Sequence, residues 1–316
     1  MTTSPDPVSQ ETIVITEEKI HPDAVDLLKD FRLCYTGARF TQDELVGLVR
    51  LEQPVAILSR YGKISEPVQS ASQKLRVIGR HGVGMDAIDQ VAARRLGIKA
   101  IPAVGSNSQA VAELALGLIL SCARKISWLD KRMHEGHWDK QSYMGLELSG
   151  ATLGVIGCGS IGGRVVRFAQ AIGMNVAVCD PFKQASQLPA GTTKLELEEL
   201  LAASDVVSLH CPLDASTRGL LDARRLGLLR KGAIVINTAR AGIFDEAAMR
   251  ERLHAKELLL GLDCFLDEPI DAESPWSFTP NAVLTPHVGG TTNGGLRGMA
   301  VCAARNILSV LRSEHG

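Results

Sequence analysis

The sequence predicts an α/β protein of two doubly wound, parallel-sheet domains, one inserted in the other. Three observations predict it. Short β-branched runs alternate with amphipathic stretches along almost the whole chain, the pattern of parallel strands joined by helical crossovers. The runs fall into two series separated by one long helix-forming stretch. The last stretch, Thr291 to Gly316, reads as a single helix after a glycine-rich turn; it is too short for a domain and is expected to pack back on the first series. A chain of 316 residues has room for two domains of about 100–200 residues each.

In the first series, strands are expected at Thr12–Thr16, Leu33–Tyr35, Val55–Ser59, Arg76–Ile78 and Ile98–Ala100. Helices lie between them, for example Thr41–Glu52, with Asp43 and Glu44 in its first turn, where carboxylates face the positive end of the helix dipole. Pro102, Gly105 and Asn107 mark a turn or hinge before the long helix, expected from Ser108 to Lys131. Gly145 to Gly150 leads into the second series: Thr152–Ile156, Asn175–Cys179, Val206–Leu209, Ala233–Ile236, Leu259–Leu262 and Val283–Leu284. Six strands with helices between them match the strand count of a complete dinucleotide-binding fold.

Composition narrows the function. Apolar residues make up 45% of the chain and aromatics only 4%, so the cores must be aliphatic. Lys and Arg total 34 against 35 Asp and Glu, a net charge of -1 that leaves no concentrated basic surface for nucleic acid or for an anionic membrane. The longest apolar run, Val111 to Leu120, is broken by Glu113 and falls short of the roughly 18 residues a membrane span needs. Met1 to Gln10 lacks the basic start and apolar segment of a signal peptide. The seven cysteines are scattered, with no C-x-x-C pair, and read as free thiols of a reducing compartment. A cytoplasmic protein is expected.

The second series opens on Gly157-Cys158-Gly159-Ser160-Ile161-Gly162, which follows an apolar strand and starts a helix, Gly163 to Ala171. Gly157 permits the tight turn, Gly159 lets a pyrophosphate approach the backbone, and Gly162 lets helix and strand pack closely. Phosphates then meet the free N–H groups and positive dipole of the helix. Asp180 ends the next apolar strand, eighteen residues after Gly162, where a carboxylate accepts hydrogen bonds from the ribose hydroxyls. It would repel a 2′-phosphate, so NAD is expected over NADP, although Lys183 lies close by. The second domain is therefore read as a Rossmann domain.

Three later segments end strands at the edge where open α/β sheets bind ligands: Ile236 to Arg240, Gly261 to Asp263 with Glu268-Pro269, and Thr285 to Gly290. Reduction of a 2-oxo acid needs a cation for the carboxylate and carbonyl, and Arg240 supplies a planar, always charged fork. It needs a proton donor that works near neutral pH, which suits His287. Glu268 could stabilise the imidazolium. Each residue has a plainer reading: a surface ion-pair partner for Arg240, a solvated loop charge for Glu268, a strand-end histidine for His287. Their joint placement after a nucleotide fingerprint favours chemistry.

With these segments in hand, the chain resembles the D-isomer-specific 2-hydroxyacid dehydrogenases, the family that includes phosphoglycerate dehydrogenase. The resemblance runs from about Val55 to Gly290. It rests on Arg80-His81-Gly82-Val83-Gly84-Met85-Asp86, Val111-Ala112-Glu113, the glycine fingerprint, His210-Cys211-Pro212-Leu213 with Thr217, and the three segments above. It implies that Arg240 binds and polarises the substrate, that His287 is the acid/base and that Glu268 supports it. It implies that Asp263 holds the nicotinamide carboxamide, and that His210, Cys211, Pro212, Thr217, Thr238, Ala239, Gly289 and Gly290 line the NAD site with Gly157, Gly159, Ser160, Ile161, Gly162 and Asp180. The backbone of Gly82, Val83 and Gly84 would hold the substrate carboxylate, and Arg60 matches a substrate-binding Arg of the phosphoglycerate-type members. On this reading residues 1–106 with 291–316 form a flavodoxin-like substrate domain. Residues 107–290 form the NAD-binding domain, whose region of about 107–150 builds a homodimer interface.

Ala241 stands where the family usually has Gly, and no regulatory domain is expected after the last helix. Relatives with formate dehydrogenase activity carry Gln in place of Glu268. The alternative from another class is an NAD(H)-sensing, corepressor-like binding protein with little turnover. No metal is expected: His134-Glu135-Gly136-His137 spaces its histidines three apart, one short of the zinc motif, and reads as a surface turn. Cys158 reads as a small filler. Arg60 hints at a second anionic group on a small 2-hydroxy acid, or simply pairs with a nearby carboxylate. Hydroxypyruvate, glyoxylate, phosphohydroxypyruvate and sulfopyruvate all fit the sequence.

Overall fold

A computed structural model describes residues 10–37 and 39–313. The expectations for Met1 to Ser9, and for the last three residues of the terminal helix, lie outside this range. The chain divides into two compact units, Met1–Asn107 with Thr292–Gly316 and Ser108–Thr291.

In the first unit β1 (Thr12–Ile15), β2 (Arg32–Tyr35), β3 (Ala56–Ser59), β4 (Val77–Arg80) and β5 (Lys99–Pro102) alternate with α1 (Pro22–Leu27), α2 (Gln42–Glu52), α3 (Glu66–Ser70) and α4 (Gln90–Arg95). All pairings are parallel and the order is β2-β1-β3-β4-β5. This is the doubly wound order whose direction reverses between β1 and β3. Strand side chains alternate between faces. Ile13, Ile15, Leu58 and Val77 pack with α1 and with α11 (Asn293–Ser313), while Val14, Ile57 and Ile78 pack with Leu45 and Val49 of α2. A reciprocal cap starts α2: the Glu44 N–H donates to Thr41 Oγ1 at 3.2 Å, and the Thr41 N–H donates to Glu44 Oε2 at 2.6 Å.

The second unit begins with α5 (Ser108–Arg124) and α6 (Ile126–His134). The single helix expected from Ser108 to Lys131 is therefore two. Lys125, with φ of 50°, is left-handed and interrupts the ladder. The break comes where burial ends: α5 buries residues through Ala123, whereas α6 buries none of its own.

Seven strands follow: β6 (Thr152–Ile156), β7 (Asn175–Cys179), β8 (Thr192–Lys194), β9 (Val206–Leu209), β10 (Ala233–Asn237), β11 (Leu258–Leu262) and β12 (Ala282–Leu284). Between them run α7 (Gly162–Ala171), α8 (Leu197–Ala203), α9 (Ala223–Leu226) and α10 (Glu246–His254). The sheet order is β12-β11-β10-β9-β6-β7-β8, all parallel. Read from β8, this is the dinucleotide order 3-2-1-4-5-6 with β12 added as a seventh strand. The sequence reading counted six strands because it passed over β8. Thr192, Thr193 and Lys194 form an edge strand with no fully buried side chain, so they carry no apolar run to detect.

Close approach fixes α11. A Cβ on Gly79 of β4 would stand 2.8 Å from Ile307 Cγ1 and 2.9 Å from the Ala303 carbonyl oxygen, so α11 lies directly on this strand. Gly79→Ala is expected to destabilise the protein by about 1–3 kcal/mol, the usual cost of overpacking a core. Urea denaturation measures it, and an unchanged midpoint would show that α11 can move away from β4.

Candidate active site

The glycine loop of the second unit uses its glycines for three different reasons. Gly157 has φ of 87°, and a Cβ there would meet the Cys211 nitrogen at 2.8 Å. A Cβ on Gly162 would lie 2.1 Å from the Gly157 carbonyl oxygen, so α7 leaves β6 too closely for any side chain. At Gly159 a Cβ would meet no described atom within 4 Å, so the backbone there faces open space. No side chain caps the start of α7. Ser160 and Gly159 are exposed and Ile161 half-buried, which leaves the loop accessible.

Asp180, at the end of β7, is buried and shapes this loop. Its Oδ2 accepts the Cys158 N–H at 2.8 Å and its Oδ1 accepts the Phe182 N–H at 3.0 Å. Across the loop, His210 Nε2 lies 2.8 Å from Ser208 Oγ, and burial holds this imidazole neutral, with its pKa down at about 4. Burial likewise pushes the Cys211 thiol up to about 11 and raises that of Cys158, so both stay protonated and neither is a thiolate nucleophile. Thr217 Oγ1 donates to the Pro212 carbonyl at 2.6 Å and closes the loop after β9.

The ends of β10, β11 and β12 carry the remaining groups. Buried Asn237 bends the chain after β10: its Nδ2 donates to the Arg240 carbonyl at 2.8 Å and its Oδ1 accepts the Ala239 N–H at 3.0 Å. Arg240 donates to the Ala239 carbonyl at 2.6 Å, and Thr238 Oγ1 is buried with no hydrogen-bond partner among the described residues. Asp263, 2% exposed, fastens the next loop. Its Oδ1 accepts the Thr285 hydroxyl at 2.6 Å and the Val288 N–H at 2.9 Å, and its Oδ2 accepts the Gly289 N–H at 2.8 Å. A Cβ on Gly289 would stand 2.9 Å from that Oδ2, so glycine is what lets the loop close on Asp263. Between Thr285 and Val288 sits His287, left-handed with φ of 52°.

His287 Nδ1 meets the Glu268 carboxylate at 2.9 and 2.8 Å, and Glu268 Oε1 also accepts the Phe265 N–H at 2.9 Å. With Nδ1 engaged, Nε2 is the ring nitrogen left for other partners. The two side chains are 49% and 36% exposed. Cys264 is buried after β11; burial first, with the Asp263, Glu268 and Glu246 charges, raises its thiol, while the Arg240 charge opposes them. His134 ends α6 and Gly136 turns the chain with φ of 82°, away from these loops in sequence and without a metal-sized cluster among the described residues.

In the first unit, the loop after β4 carries Gly82, Val83 and Gly84. Gly82 has φ of 142°, and its carbonyl accepts the Ala103 N–H at 2.8 Å. Arg80 pins the loop by donating to the Gly84 carbonyl at 3.0 Å, the Ser59 carbonyl at 3.2 Å and the Arg60 carbonyl at 2.6 Å. Arg60, at the end of β3, forms an ion pair with Glu17 and stacks its guanidinium 4.9 Å from the Tyr61 ring centroid. The sequence reading missed Glu17, Asn237 and the pinning role of Arg80. Glu17 lies just past β1, so the strand-end rule applied to the first domain would have found it.

Residues 116–289 match the family model described as "D-isomer specific 2-hydroxyacid dehydrogenase, NAD binding domain". The chain is 34% identical over 304 residues to a D-3-phosphoglycerate dehydrogenase of Methanocaldococcus jannaschii, which covers 95% of this chain but only 58% of that longer protein. It is 35% identical over 288 residues to a hydroxypyruvate reductase of Thermotoga maritima, covering 90% of this chain and 93% of the relative. Among solved structures, the TT0316 protein of Thermus thermophilus superposes with a TM-score of 0.86 at 33% identity, over 96% of this chain and 97% of its own.

His81, 5% exposed in the same first-unit loop, gives the site a pH signature. Burial, then the Arg60 and Arg80 charges, hold its imidazole down at about 4, against an ordinary 6.5. The unfolded chain takes up a proton below 6.5 that the folded chain refuses, so this stability is present above that pH and lost as pH falls from 6.5 towards 4. Urea midpoints should fall across that window, and His81→Gln should flatten the fall. Equal slopes for the two proteins would show that His81 is protonated without cost.

Proposed function

This chain belongs to the D-isomer specific 2-hydroxyacid dehydrogenases, and we propose that it transfers a hydride between NAD(H) and a small D-2-hydroxy or 2-oxo acid. One observation carries the proposal. The His287–Glu268 pair and Arg240 follow strands of the same parallel sheet as the glycine loop, all at its carboxyl edge.

The residues present fit NAD. The open backbone at Gly159 and the uncapped start of α7 suit the pyrophosphate, with Gly157, Ser160, Ile161 and Gly162 forming the turn. Asp180 would take the ribose hydroxyls, and the unpartnered Thr238 hydroxyl would meet the cofactor beside Ala239. Asp263 Oδ2 keeps a lone pair for the carboxamide, next to Gly289 and Gly290. His210, Cys211, Pro212 and Thr217 would form the far wall. When bound, the nicotinamide supplies or takes up the hydride.

The chain's own residues do the rest. His287 Nε2 delivers the proton to the carbonyl oxygen during reduction and recovers it during oxidation, while Glu268 holds the ring through Nδ1. Arg240 stabilises the charge that develops on that oxygen. The Gly82, Val83 and Gly84 backbone would hold the substrate carboxylate, and Arg60 would also bind the substrate. This makes the first unit the substrate domain and the second the NAD domain. We further infer a homodimer formed through the region of about 107–150. Ile126, Trp128, Met133, Trp138 and Met144 are exposed there, and a second copy of the chain would cover them. The seven free thiols suit a reducing, cytoplasmic setting, and no helix among the described residues is long and apolar enough to cross a membrane.

Three experiments test this reading. NADH oxidation should be seen with at least one of a panel of 2-oxo acids. His287→Ala should lower kcat by about 10²–10⁴-fold, the usual contribution of a general acid–base group, with NADH affinity by fluorescence nearly unchanged. NADH binding with no turnover on any acid would favour the sensor alternative, and a parallel loss of NADH binding in the variant would make His287 a cofactor ligand. Sedimentation should report a dimer that Trp128→Glu weakens; a wild-type monomer would remove the interface.

A further inference from the structure

The first unit carries a largely buried charged pair, Glu17 with Arg60. Glu17 lies two residues past the end of β1 and Arg60 directly after β3, and the two strands are neighbours, with Ile15 beside Leu58. The strand order reverses between them. Open parallel sheets bind ligands outside the carboxyl ends of the strands at such a point. Glu17 and Arg60 therefore stand where a ligand is expected on topology alone.

Their hydrogen bonding is incomplete in a telling way. Glu17 Oε1 takes the Arg60 guanidinium, in a pair whose side chains are 11% and 19% exposed. Glu17 Oε2 is buried and has no hydrogen-bond partner among the described residues. A buried acceptor left unpaired keeps its desolvation cost without compensation, and more so when charged. The neighbours do not relieve it. Arg80 donates to the carbonyls of Ser59, Arg60 and Gly84, and none of the described residues donates to Glu17 Oε2. Thr16 Oγ1 accepts the Arg60 N–H at 2.9 Å, which fixes the backbone from which the pair projects.

An acceptor without a donor, beside a guanidinium with N–H groups, matches one chemical group best. A hydroxyl donates to Glu17 Oε2 and accepts from Arg60. A phosphate has at most one proton to give near neutral pH and carries a second negative charge. It would face the Glu17 carboxylate and compete with it for Arg60. We propose that Glu17 is a specificity-determining residue: paired with Arg60, it selects 2-oxo and 2-hydroxy acids whose far end carries a hydroxyl and disfavours those that carry a phosphate. This rests on the dehydrogenase reading above and narrows its substrate class.

The test compares kcat/KM for hydroxypyruvate, phosphohydroxypyruvate and glyoxylate, the last having no far group, in the wild type and in Glu17→Gln. The wild type should prefer hydroxypyruvate to its phosphorylated form by on the order of tenfold or more, as expected of a site built to hydrogen-bond a hydroxyl. In Glu17→Gln that ratio should move towards the phosphorylated acid by a similar factor, mainly through KM. A wild type that prefers the phosphorylated acid overturns the proposal. So does a variant in which all three substrates fall together, which is what a merely structural role predicts. If none of the acids is reduced, the dehydrogenase reading itself fails. Thermal stabilisation of the NAD-loaded protein by D-glycerate against 3-phosphoglycerate then decides the role of Glu17 alone: stronger stabilisation by glycerate, lost in Glu17→Gln, supports it, and any other ranking overturns it.

Discussion

Every strand in both sheets runs parallel to its neighbours, and the placement of the chemistry depends on that one constraint. A parallel strand cannot return by a tight hairpin, so each crossover climbs over a face as a helix or long loop. All strands of a sheet then end at the same edge. Residues distant in sequence, such as Gly157, Asp180, Asn237, Asp263 and Thr285, leave their strands at one edge because the chain has no other way to be wound. Helices cover both faces, which explains why the strands are apolar on both sides and why the edge is the place left for polar groups.

Within that edge, Asp263 converts a loop into a fixture. His287 holds a left-handed backbone, which costs a non-glycine residue about 1–2 kcal/mol. The carboxylate accepts the N–H groups of the two residues that follow His287 and the hydroxyl of Thr285 two residues before it. Charge-assisted bonds of this kind are roughly twice as strong as neutral ones and are strengthened further by burial. The strained turn is held from both sides, and the imidazole is carried to Glu268, itself tied to the Phe265 N–H. The aim of the proposed proton donor is thus set by backbone bonds more than by side-chain packing, an arrangement that suits a group left half-exposed.

The fold class was legible because it rests on strong local signals. Runs such as Thr152–Ile156 and Val206–Leu209 are apolar on both faces, and the glycine loop falls between a strand and a helix as the fingerprint requires. β8 was not legible, since an edge strand of two threonines and a lysine buries little and leaves no pattern. Nor was the break at Lys125, because sequence periodicity shows which residues could face a core but not where the core ends. At the site, residue types and strand ends were enough to name Glu268 as a partner for His287, and the two are hydrogen-bonded. The pinning of the Gly82 loop by Arg80 and the bend made by Asn237 were not legible, because both are side-chain to backbone bonds that carry no sequence spacing of their own.

Two buried carboxylates show what coordinates add. Asp263 and Glu17 both follow a strand, are both more than nine-tenths buried, and look alike as letters in a sequence. Asp263 accepts three hydrogen bonds from its own loop, so most of its desolvation is offset within the fold and removal would damage the loop. Glu17 has one oxygen in an ion pair and the other with no donor. A buried charge that is half satisfied is poor for stability, since partial pairing leaves most of the desolvation cost standing. Selection for folding alone would favour an apolar residue or an amide in its place. The unfilled acceptor at the switch point is better explained by a partner that arrives from outside, and its chemistry is set by what is missing: a donor, small enough to sit beside a guanidinium already engaged.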